Sequence, residues 1–255
     1  MKVREITEAI EEFAPLGIQE PWDNSGLCIG SPEDEVRGVL VGFDCTPELI
    51  REAVERGCSL VVTHHPLIFK GLKRIDPADP VGLAVILAIR NGVAVYAAHT
   101  TADKVLEGVS GAMAARLGLG DVTVLDPGGL GALGTLPEPL SGEEAVAYVK
   151  GRMGLSALRC SDPSGITVRT VAVCGGSGGG LIGTARECGA DLYVSADISY
   201  HNFFTPRGFM IMDIGHFESE VEIVDLLIEA IRKKISNFAL LKSNRLGAAN
   251  PVHYL

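Results

Sequence analysis

Apolar positions along this chain switch between two periods, and each switch marks an element. Val3, Ile6, Ile10 and Phe13 recur at helical spacing, so the chain opens on an amphipathic helix over 3–14. A loop carrying Pro21, Trp22, Asp23, Asn24 and Gly26 follows. Strand and helix patterns then alternate. Residues 38–43 read as a strand, 46–56 as a helix with Pro47 suited to its first turn, and 59–63 as a second strand. A helix over 79–91 stopped by Gly92, a strand over 93–98 and a helix over 103–117 continue the series. Such alternation predicts an α/β fold.

The sharpest change in composition is Asp-Pro-Gly-Gly-Leu-Gly-Ala-Leu-Gly over 126–134, which reads as a hinge between two lobes. After it the pattern returns. Residues 41–65 and 173–197 align without a gap at a spacing of 132, pairing Val41 with Val173, Leu49 with Leu181, Gly57 with Gly189, Leu60 with Leu192 and Val62 with Val194. Later, a strand running into His99-x-x-x-Asp103 has its counterpart in one running into His216-x-x-x-Glu220. The pattern reads as a duplication: two similar α/β lobes related by a pseudo-twofold axis. Lobe 1 covers about 1–125 plus the C-terminal helix, and lobe 2 about 126–220.

Composition narrows the function. With 47% hydrophobic and 21% charged residues over 255 positions, the chain has ample material for a buried core. Its net charge of −10 argues against nucleic acid or an anionic membrane as the main partner. Arg232, Lys233, Lys234, Lys242 and Arg245 are the best candidates for a local basic patch, and they read as the solvated end of a helix. The longest apolar run, Val81–Ile89, is too short to span a bilayer. The charged N-terminus lacks a signal-peptide core, and six cysteines without a Cys-x-x-Cys pair read as reduced and apolar. A cytoplasmic location is expected.

Chemistry concentrates on histidine. Of six in the chain, His64, His65, His99 and His216 fall at predicted strand ends. Pro66 keeps His65 extended, and adjacent residues on an extended backbone aim to opposite sides, which suits two ions better than one. In α/β sheets that C-terminal edge is where ligands bind. His99 with Asp103 and His216 with Glu220 bring imidazole and carboxylate to corresponding places, so with His64 and His65 they make one set of nitrogen and oxygen donors. Without thiolate, the set suits Zn, Fe, Mn, Co or Ni.

Five segments carry a resemblance. Trp22-Asp-Asn-Ser-Gly-Leu, Val62-Thr-His-His-Pro-Leu-Ile-Phe, Ala98-His-Thr-Thr-Ala-Asp, Val173-Cys-Gly-Gly-Ser-Gly-Gly and Gly215-His-Phe-Glu-Ser-Glu resemble the signatures of the Nif-three-like family, also labelled GTP cyclohydrolase I type 2. They stand in family order over nearly the whole chain, in the short form without an inserted domain. The resemblance implies two α/β lobes with two divalent metal ions in a cleft, held by His64, His65, Asp103, His216 and Glu220, and a ring-shaped homohexamer. His99 matches a family histidine near the metals, which supports them, acts in catalysis or is itself an additional ligand. Thr101 and Ala102 depart from the family's usual Asn and Leu, and Ser195-Ala-Asp197 from its Thr-Gly-Asp/Glu. The helix after His201 is shortened and contains Pro206.

Other residues have two readings each. The glycines of 175–180 either cradle a phosphate or make a tight turn. His201, four residues after Asp197, is a second proton-transfer candidate beside His99. Trp22 is expected in the core, and Asp44 either contacts the site or caps the following helix. The apolar residues Val221, Ile223, Val224, Leu226, Leu227, Ile228 and Ile231 offer more face than one lobe needs, which favours self-association. The functional expectation is metal-dependent hydrolysis of a small molecule, a nucleotide or other phosphate compound. The alternative is a metal-stabilised binding or regulatory protein without turnover.

Overall fold

The computed structural model describes residues 1–246 and 249–254. In chain order its first elements are α1 (Val3–Phe13), β1 (Gly26–Ile29), β2 (Val39–Val41), α2 (Pro47–Glu55), β3 (Leu60–Thr63), α3 (Pro80–Asn91), β4 (Ala94–Ala97) and α4 (Thr100–Asp103). Next come α5 (Val109–Leu117), β5 (Gly120–Val124), β6 (Ala132–Ser141), α6 (Gly142–Met153), β7 (Arg159–Cys160), β8 (Thr167–Ser177) and α7 (Ile182–Glu187). The last are β9 (Leu192–Ala196), β10 (Met210–Asp213), α8 (His216–Glu220), α9 (Ile223–Lys234) and β11 (Leu240–Lys242). The chain is α/β, in two compact units.

The first unit is Met1–Ala102 with Ile223–Pro251. Its sheet has the order β1-β4-β3-β2-β11, parallel from β4 to β11, with β1 antiparallel at the edge. Local signals set the helices. Thr46 caps α2 by accepting from the Leu49 N–H at 3.2 Å, and Asp79 caps α3 by accepting from the Gly82 N–H at 2.8 Å. In each helix a proline follows the cap, where its missing N–H costs nothing. The core packs Leu40, Ile50, Val61, Val85 and Val95.

The second unit is Asp103–Glu222 with the last residues from Val252. Its sheet has the order β5-β6-β8-β9-β10-β7, parallel only through β8, β9 and β10. Pro137 and Pro139 cannot donate to the ladder, and the β6–β8 register shifts between Thr135 and Leu140. Val168, Val171, Val173, Val194 and Met210 fill its larger core.

The internal repeat is preserved in the pairing itself. Val39, Leu40 and Val41 stand opposite Leu60, Val61 and Val62 in the first sheet. Val171, Ala172 and Val173, each 132 positions on, stand opposite Leu192, Tyr193 and Val194 in the second. The two units are therefore similar in strand order and in register.

Several expectations are corrected. The division falls at Ala102/Asp103 and at Glu222/Ile223, because α5 and β5, placed in lobe 1 from sequence, pack with the second unit's sheet. Residues 126–130 are not a hinge but the turn of the β5–β6 hairpin. There the Asp126 N–H donates to the Leu130 carbonyl at 3.0 Å, and the Gly128 N–H to Asp126 Oδ2 at 2.7 Å. Of the helix expected over 103–117, only Val109–Leu117 forms as α5, and α4 ends at Asp103. The chain turns back between them, bringing the Leu106 carbonyl to within 1.8 Å of where a Cβ on Gly111 would lie. Finally, α9 spends its apolar face inside its own unit. Ile223, Val224, Leu227, Ile228 and Ile231 are buried, Val221 and Leu226 are half-buried, and α9 packs on α1, so this helix lends self-association little support.

Candidate metal centre

Parallel neighbours end at one edge, and in the first unit the functional residues follow those ends. Asp44 lies just beyond β2, His64 and His65 directly after β3, and His99 after β4. His64 is fully buried, and its Nδ1 lies 2.8 Å from the Ala98 carbonyl oxygen. His65 Nδ1 lies 2.8 Å from Asp44 Oδ1, and His99 Nδ1 2.7 Å from Asp23 Oδ1. A carbonyl or an ionised carboxylate can only accept, so each Nδ1 carries the proton and donates it. In its neutral form each ring then has its donor lone pair on Nε2. One ring nitrogen from each of His64, His65 and His99 lies within 4.8 Å of the others.

His64 and His65 do not alternate as an extended backbone would have them. Regular pairing in β3 stops at Thr63, and both histidine N–H groups turn to the Phe43 carbonyl, at 3.1 and 3.3 Å. Their ring centroids are 4.8 Å apart. Phe43 backs both rings, stacked at 5.9 Å under His64 and edge-on at 4.8 Å to His65. Asp44 is thus a site residue, and Thr46 takes the capping role.

Asp23 is the residue the sequence only brushed against. Its side chain is fully buried and accepts from His99, Ser25 Oγ at 2.7 Å and Thr100 Oγ1 at 2.5 Å. Burial alone would raise its pKa, but the hydrogen bonds from His99, Thr100 and Ser25 outweigh it and hold the carboxyl well below the usual range. His99 is therefore fixed by a permanent anion. Trp22 is not in the core. It is 59% exposed, and its ring lies edge-on to Phe69 and His99.

The second unit builds a matching edge. His216 opens α8, with Nδ1 2.7 Å from Asp197 Oδ2 and Nε2 3.0 Å from Glu220 Oε2, one turn later on the same helix. Asp197 directly follows β9 and sits at φ 52, a left-handed conformation that Asp tolerates better than most residues. Asp103 ends α4. Burial, then the charges of Asp103 and Glu220, push the nearby Cys174 thiol to about 12, leaving imidazole and carboxylate as the donors there. Ser219 Oγ accepts from the Gly176 N–H at 2.9 Å and donates to the His216 carbonyl at 2.7 Å.

The glycines of 175–180 serve that approach. Residues up to Ser177 belong to β8, and the helix that follows, α7, begins only at Ile182. A Cβ on Gly176 would stand 2.1 Å from Glu220 Oε1, and one on Gly175 would stand 2.2 Å from Val109 Cγ1. His201 is exposed on a short 3-10 turn, 5.3 Å from the Tyr200 ring centroid. The Asp197 carboxylate, expected to serve His201, serves His216 instead.

A sequence model of the Duf34/NIF3 (NGG1p interacting factor 3) family matches residues 1–245. The chain belongs to that family. Among its Duf34/NIF3 relatives, a Clostridium perfringens protein named GTP cyclohydrolase 1 type 2 homolog is 31% identical over 245 residues, covering 93% of this chain and 94% of that one. The crystal structure of a Staphylococcus aureus hypothetical protein superposes with a TM-score of 0.90 at 26% identity, covering 100% of this chain and 99% of the other. A Bacillus cereus protein related to NIF3 has the same fold, with a TM-score of 0.92 at 23% identity and the same coverage.

The Duf34/NIF3 donor set fits metal ions. Its imidazoles each have Nδ1 committed to an oxygen acceptor, the arrangement that orients metal-binding histidines and raises their basicity. All six cysteines are free, and no described helix is long and apolar enough to cross a membrane.

Proposed function

We propose that this Duf34/NIF3 protein is a dinuclear metal-dependent hydrolase of a nucleotide or another phosphate compound. The observation that carries the reading is the locking of Nδ1 in four separate histidines, three by Asp44, Asp23 and Asp197 and one by a backbone carbonyl. Structural histidines do not need this four times over. The relatives' shared name, GTP cyclohydrolase 1 type 2 homolog, supports the substrate class.

In this reading His64, His65, Asp103, His216 and Glu220 hold two divalent ions, for which Zn, Fe, Mn, Co and Ni are all chemically suited. The pair would supply Lewis-acid polarisation of the electrophile and acidification of water near neutral pH. The chain's own groups would handle the protons. Asp23 keeps the proton of His99 on Nδ1, so Nε2 is the atom that accepts one and later returns it. His201 is the second candidate for that role, and its exposure suits contact with a bound substrate rather than with the metals. A homohexamer, which rests on the family resemblance alone, and a cytoplasmic location complete the reading.

Metal analysis and a turnover screen test it together. Protein purified without chelator should carry more than one equivalent of metal, and His64→Ala/His65→Ala should lose most of it. With metal retained, His99→Ala or His201→Ala should lower turnover of the best substrate by at least ~10²-fold, the low end for general acid–base help. If neither GTP, other nucleotides nor simple phosphoesters turn over with any of these metals, the protein is a metal-stabilised binding protein instead.

A further inference from the structure

We propose that Trp22 and Phe69, together with the basic run Lys70, Lys73 and Arg74, form a recognition subsite for a mononucleotide. Its base would lie on the aromatic rings beside His99, and its phosphate on the basic run. The inference rests on the hydrolase reading for its substrate and adds the residues that select it.

Large aromatic side chains dominate cores, yet Trp22 is 59% and Phe69 45% exposed. Their centroids are 5.9 Å apart with planes at 70°, so they meet edge to face and do not stack on each other. Each is also edge-on to His99, with centroids at 6.1 Å and 73° for Trp22 and 5.9 Å and 83° for Phe69. Three near-perpendicular rings make a corner in which a planar ring can lie along one face while its rim meets another.

The corner is held in place before any ligand arrives. Asn24 Nδ2 donates to the Ile68 carbonyl at 2.6 Å, tying the Trp22 loop to the segment that carries Phe69. Asp23, between Trp22 and Asn24, is anchored to His99 and Thr100. Rigid aromatic anchors of this kind bind with little loss of conformational entropy.

Charge identifies the rest of the ligand. Immediately after Phe69, the exposed stretch to Arg74 holds three cations in a chain of net charge −10. Among the described residues no carboxylate forms an ion pair with Lys70, Lys73 or Arg74. The nearest acids downstream are occupied, Asp76 by the Ala78 N–H and Asp79 by the Gly82 N–H. A run of exposed cations that follows an exposed aromatic directly in the chain matches a phosphorylated heteroaromatic. Because the rings are edge-on to His99 and the cations follow Phe69 in the chain, we place the base rather than the phosphate beside His99.

Trp22 is the only tryptophan, so fluorescence excited at the red edge, where the five tyrosines do not absorb, reports on this subsite. Titrating the metal-containing protein with GMP should quench it saturably. Guanosine should quench about tenfold more weakly, and ribose 5-phosphate not at all. Lys70→Gln/Lys73→Gln/Arg74→Gln, three exposed positions, should weaken GMP to the level of guanosine while leaving metal content and circular dichroism unchanged. Phe69→Leu should weaken both ligands about tenfold. Three outcomes would overturn the subsite: no saturable quenching by GMP, quenching by ribose 5-phosphate as strong as by GMP, or GMP affinity indifferent to the triple variant. Saturation by a single-stranded oligonucleotide where GMP does not bind would also overturn it, in favour of nucleic acid. Turnover of ringless phosphoesters without GMP quenching removes this subsite and keeps the hydrolase; GMP quenching without any turnover does the reverse.

Discussion

Gly176 shows how much of a site can rest on one missing atom. It sits at φ +60 where β8 meets α8, and its absent Cβ leaves room for the Glu220 carboxylate and for His216 Cε1 at 3.3 Å. Replacing it with Ala adds both a strained backbone and a collision with a buried acid. We expect Gly176→Ala to cost about 1–3 kcal/mol, as overpacking does, lowering the melting temperature and the metal content together. Gly180→Ala is the control, since nothing lies within 4 Å of its would-be Cβ and its φ is ordinary. Equal behaviour of the two variants would show that the close approach is not needed. In sequence the same glycines suit a phosphate cradle or a tight turn, because glycine marks space without saying what fills it. The histidines were legible from their places at strand ends. Their carboxylate partners were less so, since Asp23 reaches His99 across 76 positions and Asp197 reaches His216 across 19.

At the scale of elements, the strands buried on both faces were visible as apolar runs, whereas β1, β7 and β11 were not. Edge strands this short carry no period, and β11 is recognisable only from what holds it. That holder is Glu52 on α2, buried, whose carboxylate accepts from Ser243 Oγ at 2.6 Å, the Asn244 N–H at 2.8 Å and Arg56 Nη1 at 2.7 Å. Burial raises its pKa, but those donors outweigh burial and leave it lowered. The stability it contributes is therefore fully present above the ordinary glutamate value and is lost as pH falls through the lowered, folded-state value. Glu52→Gln should cost about 1.5–3 kcal/mol at neutral pH, the range for hydrogen bonds to a charged group. It should also flatten the acid limb of the stability curve, with the amides of Leu240–Lys242 exchanging first. An acid limb as steep as wild type would mean that another carboxylate governs it.

At the scale of the whole molecule, the duplication is the feature the sequence carried best, because a β-α-β unit fixes both the pairing register and the edge at which its strands end. What diverged is the use of that edge. Asp44 and His65 in the first unit correspond by position to Gly176 and Asp197 in the second. One copy thus keeps its imidazole after the middle strand, while the other keeps there the carboxylate that orients an imidazole from elsewhere. Donors scattered this widely through the chain are assembled only by folding, so metal bound to them must stabilise the folded state. At free metal near 100 times its dissociation constant the gain is about 2.7 kcal/mol, and for a chain of this size each kcal/mol moves the melting temperature by roughly 2–4 °C. Adding a chelator to the purified protein should therefore lower its melting temperature by roughly 5–10 °C, and restoring Zn, Fe, Mn, Co or Ni should recover it. In His64→Ala/His65→Ala the chelator should change little, because most of the metal is already gone. A wild-type melting temperature that ignores chelation, in protein shown by analysis to have lost its metal, would mean that these residues hold the fold by their hydrogen bonds alone.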